Sequence, residues 1–232
     1  MNMSEHAVQL ERALPVLPLR NAVLFPAAVM PLAVGPRGFA VVEAAVARGN
    51  VFVVRQHRWE TEDPRPHDLA AVGVLARVTE LKRSPDRWDF VVMGLERVRV
   101  ESFLTDAAFL EARGEPLPED HVRGLSVEAA EHSLVLIDRA AALLRERPDI
   151  PMVANDLLRQ LRRRGYPAAH VADLLAANFC PLLQQQICLE TRSLDERLQR
   201  LSRCLDQELE AAQSMPFGPK RWVRRLRCAI GW

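Results

Sequence analysis

The chain has 232 residues, 49% of them apolar, and a formal net charge of +1. That length holds one large domain or two small ones, the apolar fraction excludes a chain too polar to build a core, and the charge balance argues against a surface dedicated to neutralising phosphates. The charge is unevenly placed: residues 1–120 carry 14 Lys/Arg against 17 Asp/Glu, residues 121–212 carry 12 against 13, and residues 213–232 carry five bases and no acid.

In chain order, Val16, Leu17 and Leu19 sit among Pro15 and Pro18 and read as an edge strand, because proline cannot donate to a ladder. A turn at Arg20–Asn21 leads to the apolar Val23–Pro26 segment and a second apolar run, Val29 to Val34. Gly35 and Pro36 open a helix with apolar positions Phe39, Val42 and Val46, stopped by Gly49. Val51–Val54 is a short strand and Glu60–Asp68 a polar, Pro-rich loop. Val72–Lys82 and Trp88–Val92 flank Arg83–Asp86 as a hairpin. Gly94 permits a bulge or bend, after which residues 96–101 alternate and put Val98 and Val100 on one face. Phe109–Ala112 is the last strand, and Gly114, Pro116, Pro118 and Gly124 mark a boundary.

Beyond it the spacing turns helical. Val127–Arg147 is a helix stopped by Pro148; a second starts at Asp149 and Pro151 and ends at Gly165; Pro167 and Pro181 start two shorter ones. Ser193 and Glu196 have capping-box spacing for a final long helix. Leucines 194, 198, 201, 205 and 209 share one face of it, which reads as a bundle core stripe.

Several chemistries lack their residues. The only lysines, Lys82 and Lys220, follow leucine and proline, so neither completes a phosphate-cradling loop. No GxGxxG occurs, and Gly124-Leu125-Ser126 lacks the second glycine of a nucleophile elbow because Glu128 stands there. The histidines are scattered, and His57 and His67 flank an acidic stretch that reads as a solvated loop. Cys180, Cys188, Cys204 and Cys228 form no CxxC pair, and a chain of this size with a large apolar fraction argues against a disulfide scaffold; the first three read as core residues. The expectation is therefore no catalytic residue, no metal and no cofactor. Met1 to Arg12 reads as no signal peptide and no run reaches the length of a membrane span, so the expected compartment is the cytoplasm.

The segment Leu14-Pro15-Val16-Leu17-Pro18-Leu19-Arg20-Asn21-Ala22-Val23-Leu24-Phe25-Pro26, followed by Met30-Pro31-Leu32-Ala33-Val34-Gly35, resembles the opening of the Lon protease N-terminal, substrate-binding domain. Val72-Gly73-Val74-Leu75-Ala76, Gly94-Leu95-Glu96-Arg97-Val98-Arg99-Val100, Ala172-Asp173-Leu174-Leu175-Ala176-Ala177, Leu189-Glu190 and Glu196-Arg197-Leu198 follow in that family's order, so the resemblance covers about residues 14–212. One departure is Ala27, where the family has glycine after the Phe-Pro step. The resemblance implies an α+β fold, with a PUA-like, partly open β-barrel in front and a C-terminal helical bundle behind. With it the chain reads as three regions, a β-rich subdomain over 1–120 and a helical bundle over 121–212, followed by a tail over 213–232 that its own residues make basic and amphipathic. It implies a non-catalytic, free-standing member without ATPase and protease modules. Such a member binds unfolded or tagged polypeptides as a substrate-recognition or adaptor protein, with a protease or chaperone as partner.

Strand edges and an apolar groove suit an extended peptide. Within the motif Arg20 and Asn21 are the exposed candidates for contact, with turn chemistry as their other reading, and Trp59 and Trp88 are candidate anchors. In the tail, Arg221, Trp222, Arg224 and Arg225 form a basic amphipathic docking segment suited to an anionic membrane surface, an acidic protein face or RNA. The alternative function is RNA binding through the barrel and tail, to which Arg159, Arg162, Arg163 and Arg164 add positive charge; a hydrolase whose catalytic group is dispersed along the chain is the other.

Overall fold

A computed structural model describes residues 12–104, 108–119, 127–147 and 152–214, without the side chains of Met152, Val153 and Arg164. The chain divides into two compact units, with the change between Pro118 and Glu119.

Among its described residues the first unit holds six strands and one α-helix: β1 (Leu14–Leu19), β2 (Val29–Val34), α1 (Phe39–Arg48), β3 (Val51–Arg55), β4 (Val72–Arg83), β5 (Trp88–Leu104) and β6 (Glu111–Pro116). The sheet order is β2-β5-β4-β3-β1-β6, and β6 also pairs with β5. Five strands therefore join into a ring and β2 stands outside it on β5. The β1–β6 seam is short, with only Leu14–Ala112 and Pro15–Glu111 in register. Leu14, Val16, Phe52, Val54, Leu69, Leu75, Val98 and Ala112 form one buried apolar cluster.

The expected edge strand β1 is in fact paired on both sides. Its neighbours divide its length: β6 takes Leu14 and Pro15, and β3 takes Val16–Leu19 in parallel. Pro15 and Pro18 thus each have one registered neighbour, so a proline without an N–H fits a strand that is not at the sheet's edge. The expected separate strands on either side of Gly94 are one 17-residue strand, β5. Its register against β4 shifts between Leu75 and Ala76, leaving Leu95 as an extra residue, and β4 has its own irregularity between Val78 and Glu80. The last strand lies later than expected and contains Gly114 and Pro116, which are therefore not linker.

The link from β1 to β2 depends on close backbone approach. Phe25 carbonyl accepts from Ala28 N–H across a turn with Pro26 and Ala27 in its centre, and Ala27 has φ +58°, the left-handed region that glycine enters most easily. Ala27 N–H donates to Gly94 carbonyl at 2.9 Å, and Gly94 N–H donates to Ala28 carbonyl at 2.9 Å. A Cβ on Gly94 would lie 2.2 Å from the Phe25 oxygen. Two stretches of the family motif, the Phe-Pro step and the Gly94 strand, therefore meet as a backbone clamp. The clamp delivers β2 to β5 in the register Val29–Met93 to Val34–Trp88.

The second unit is helical: α2 (Val127–Glu146), α3 (Met152–Arg164), α4 (Ala168–Phe179), α5 (Leu182–Glu190) and α6 (Leu194–Ser214). The expected cap at Asp149 and Pro151 lies outside the described residues. In α6, Leu194, Leu198, Leu201 and Leu205 are buried and Leu209 is half-buried, so the leucine stripe is core. At about 1.5–3 kcal/mol for each fully buried side chain, these leucines supply much of the drive for α6 to pack on α2, α4 and α5. Among them lies Arg197, only 1% exposed, donating to Asp173 at 2.9 Å and to Glu119 at 2.6 Å. That pairing gives a buried guanidinium its counter-charges. The thiols of Cys180, Cys188 and Cys204 are buried too. Hydrogen bonding with Cys188, then with Cys204, together with burial, pushes the Cys180 thiol far up, the reverse of an activated nucleophile.

Candidate polypeptide-binding site

The groove of the first unit lies where β2, β5 and the end of β4 meet, and its volume is about 420 Å³. Pro31, Leu32, Leu81, Phe90 and Val91 supply its apolar lining. Glu80, Lys82, Arg87 and Asp89 supply its charges, and Arg87 is paired with Asp89 at 2.8 Å. The geometry follows from register. Pro31, Val91 and Glu80 are directly opposed across the three strands on one face, and Leu32, Phe90 and Leu81 on the other, where Leu32 and Phe90 are buried. Val29, at the start of β2, is 65% exposed and extends the apolar surface beyond the groove. A space of this size with a mostly apolar lining and a few charges has room for the side chains of a ligand. It offers neither an imidazole nor a Ser, Thr or Cys nucleophile.

The four residues expected to contact a ligand are not equivalent. Arg20 and Asn21 are half-buried just after β1. Gln56 N–H donates to Leu19 carbonyl at 2.8 Å, so Arg20–Asn21 and the loop carrying Trp59 leave from the same end of two adjacent parallel strands. Trp59 is 57% exposed. Trp88 is half-buried and occupied within the fold: its ring stacks on Phe39 with centroids 4.4 Å apart, and the Arg83 guanidinium lies 4.9 Å from its centroid. The turn before α1 and the helix's first residue touch both regions, since Arg37 pairs with Glu62 of the Trp59 loop at 3.2 Å while Phe39 stacks on Trp88. The tail candidates Arg221, Trp222, Arg224 and Arg225 lie outside the described residues.

The sequence does not reveal the groove, because its lining comes from three strands. Its trace is the interleaving of Leu81, Phe90 and Val91 with charge at a hairpin end. Of the arginine cluster on α3, Arg159 is ion-paired with Asp156 and Arg162 with Asp138, so half its charge is already balanced. Among the described residues no three His, Cys, Asp or Glu side chains are arranged to hold a metal, and no helix is long and apolar enough to cross a membrane.

A mixed sheet closed partly into a ring, followed by a helical unit, is an α+β architecture with a surface groove suited to binding. Comparison with known proteins is specific about which one. A family model for the ATP-dependent protease La (LON) substrate-binding domain matches residues 13–207, and the chain belongs to that family. It is 36% identical over 203 residues to Lon protease 2 of Myxococcus xanthus, covering 86% of this chain and 24% of that protein. It is 37% identical over 201 residues to Lon protease of Anaeromyxobacter dehalogenans, covering 85% and 23%. The chain thus spans about a quarter of the length of these curated relatives. Among solved structures, the N-terminal domain of Mycobacterium avium complex Lon protease shares the fold with a TM-score of 0.65 at 23% identity, covering 84% of this chain and 98% of that one. A Lon N-terminal domain protein from Xanthomonas campestris gives 0.58 at 19% identity, covering 83% and 98%.

Proposed function

We propose that the chain recognises non-native polypeptide segments, as a substrate-recognition or adaptor component of proteolysis, and performs no chemistry itself. The observation that carries this reading is the groove at β2, β5 and β4, with an apolar lining, mixed charge and no nucleophile. Unfolded segments differ from folded surfaces in presenting contiguous apolar side chains, and those are what this lining can desolvate. Mixed charge at the rim tolerates clients of either sign. The family supports the same reading through the substrate-binding domain it describes. A separate protease or chaperone is the partner class, and the cytoplasm is the compartment in which it acts.

The test is affinity for a reduced, carboxymethylated model protein that cannot refold. Val91→Glu places a charge in the apolar lining and is expected to raise Kd about tenfold or more, the scale of losing a contact hot spot. Undiminished binding by a folded Val91→Glu protein removes the groove from the binding surface.

A further inference from the structure

We infer that the loop between β3 and β4 is a preformed anchor for such a segment, with Trp59 as the contact residue and Gln56 as the residue that positions it. The inference rests on the polypeptide-binding reading above and adds a second contact point distinct from the groove.

The loop is polar and proline-rich, a composition that reads as loose, yet it is tied down internally. Gln56 is wholly buried, and its side-chain amide donates to the carbonyls of Arg58 at 2.5 Å and Thr61 at 2.6 Å. Those two residues bracket Trp59, so one buried side chain fixes the backbone on both sides of the exposed ring. The base of the loop is closed by His57 N–H to Asp68 carbonyl at 2.7 Å and by the bridge between Gln56 and Leu69. Arg65 N–H donates to the Asp68 carboxylate at 2.9 Å, and Arg37 reaches Glu62 from outside the loop.

A fold that spends a buried amide on holding a loop, while leaving its tryptophan 57% exposed, presents a large amphipathic surface at low ordering cost. Charge decides what fits it. The exposed Arg, Asp and Glu side chains of the loop, with Arg37 that pairs with it, are Arg37, Arg58 and Arg65 against Glu60, Glu62 and Asp63, three of each sign. That balance gives an anionic polymer no net attraction. It suits an uncharged apolar or aromatic side chain within a flexible polypeptide, whose own ordering is then the main entropic cost.

The experiment measures anisotropy of a labelled, reduced and carboxymethylated model protein with the full chain and its variants. Trp59→Ala is expected to raise Kd about tenfold and Trp59→Phe by no more than about threefold. Gln56→Leu keeps the tryptophan and loses both amide bonds. It is expected to weaken binding, and Trp59→Ala/Gln56→Leu is expected to bind no worse than Trp59→Ala alone, because the two act through one contact. Emission that is present in the wild type and absent in Trp59→Phe should shift to the blue when the probe binds; this readout leaves Gln56 intact should its variant lose its fold. Binding that is sensitive to Val91→Glu but indifferent to Trp59→Ala overturns the anchor and leaves the groove. Failure of the wild type to bind the probe overturns the polypeptide reading and the anchor with it. Trp59-dependent binding of a single-stranded RNA oligonucleotide more tightly than the probe also overturns the anchor.

Discussion

Gly94→Ala should unsettle the first unit by breaking the clamp that seats β2. The new Cβ would fall 2.2 Å from the Phe25 carbonyl oxygen and 3.2 Å from Val74 Cγ1. The oxygen belongs to the backbone, so no side-chain rotation relieves the contact. Overpacking of this kind costs roughly 1–3 kcal/mol. Separation of the strands also weakens the two 2.9 Å hydrogen bonds that Gly94 shares with Ala27 and Ala28, at about 1 kcal/mol each. The expected loss is about 2–5 kcal/mol. Ala27→Gly probes the same clamp with the opposite sign. A left-handed non-glycine residue is strained by roughly 1–2 kcal/mol, and glycine gives back about 0.4–1 kcal/mol through the entropy of its unfolded chain. Ala27→Gly should therefore stabilise by about 0–1.6 kcal/mol, and should not destabilise. Urea denaturation of both variants, followed by circular dichroism, reads the two shifts. A Gly94→Ala protein within about 0.5 kcal/mol of wild type, the usual span of an inconsequential surface change, would refute the clamp.

Three further outcomes are expected. Arg197→Met should destabilise the helical unit by about 3–5 kcal/mol in the same assay, because the buried guanidinium's pairs with Asp173 and Glu119 are broken. A joint Arg197→Met/Asp173→Leu variant should recover much of that loss. We propose that the β-rich and helical parts fold on separate cores, as the change from alternating to helical spacing suggests; limited proteolysis should then first cut between Pro118 and Val127, and earlier cleavage within residues 14–116 or 127–214 would count against it. We also propose that residues 219–232 dock to an anionic surface. Deleting residues 215–232 should leave the melting temperature nearly unchanged and weaken binding to anionic liposomes, with about 1 kcal/mol at stake for each base near the membrane; unfolding on deletion would contradict that role.

Local patterning made most of the elements legible. The alternation around Val98, the glycine stop at Gly49 and the α6 leucine stripe are short-range signals, and each describes the observed backbone. Non-local pairing was not legible. Prolines in β1 argue for an edge when neighbours are unknown; only the ring shows that β3 and β6 divide the strand between them. Gly94 reads as an interruption, yet it is the point of close approach inside a continuous strand. For the site, Trp59 stands out as an exposed aromatic in a polar stretch. Trp88 carries the same composition signal, and only the structure shows that its ring packs on Phe39 with the Arg83 guanidinium over it. Gln56 and Arg197 were invisible as special residues: polar side chains ordinarily read as surface, and only the structure places both in the interior with partners.

The most direct test of the central claim is a paired affinity measurement with the full chain and one model protein, compared in its native form and in its reduced, carboxymethylated form. Recognition of non-native segments predicts saturable binding to the unfolded form and at least about tenfold weaker binding to the native form, with Val91→Glu abolishing most of that difference. Equal affinity for the two forms, or no binding to either, would contradict it.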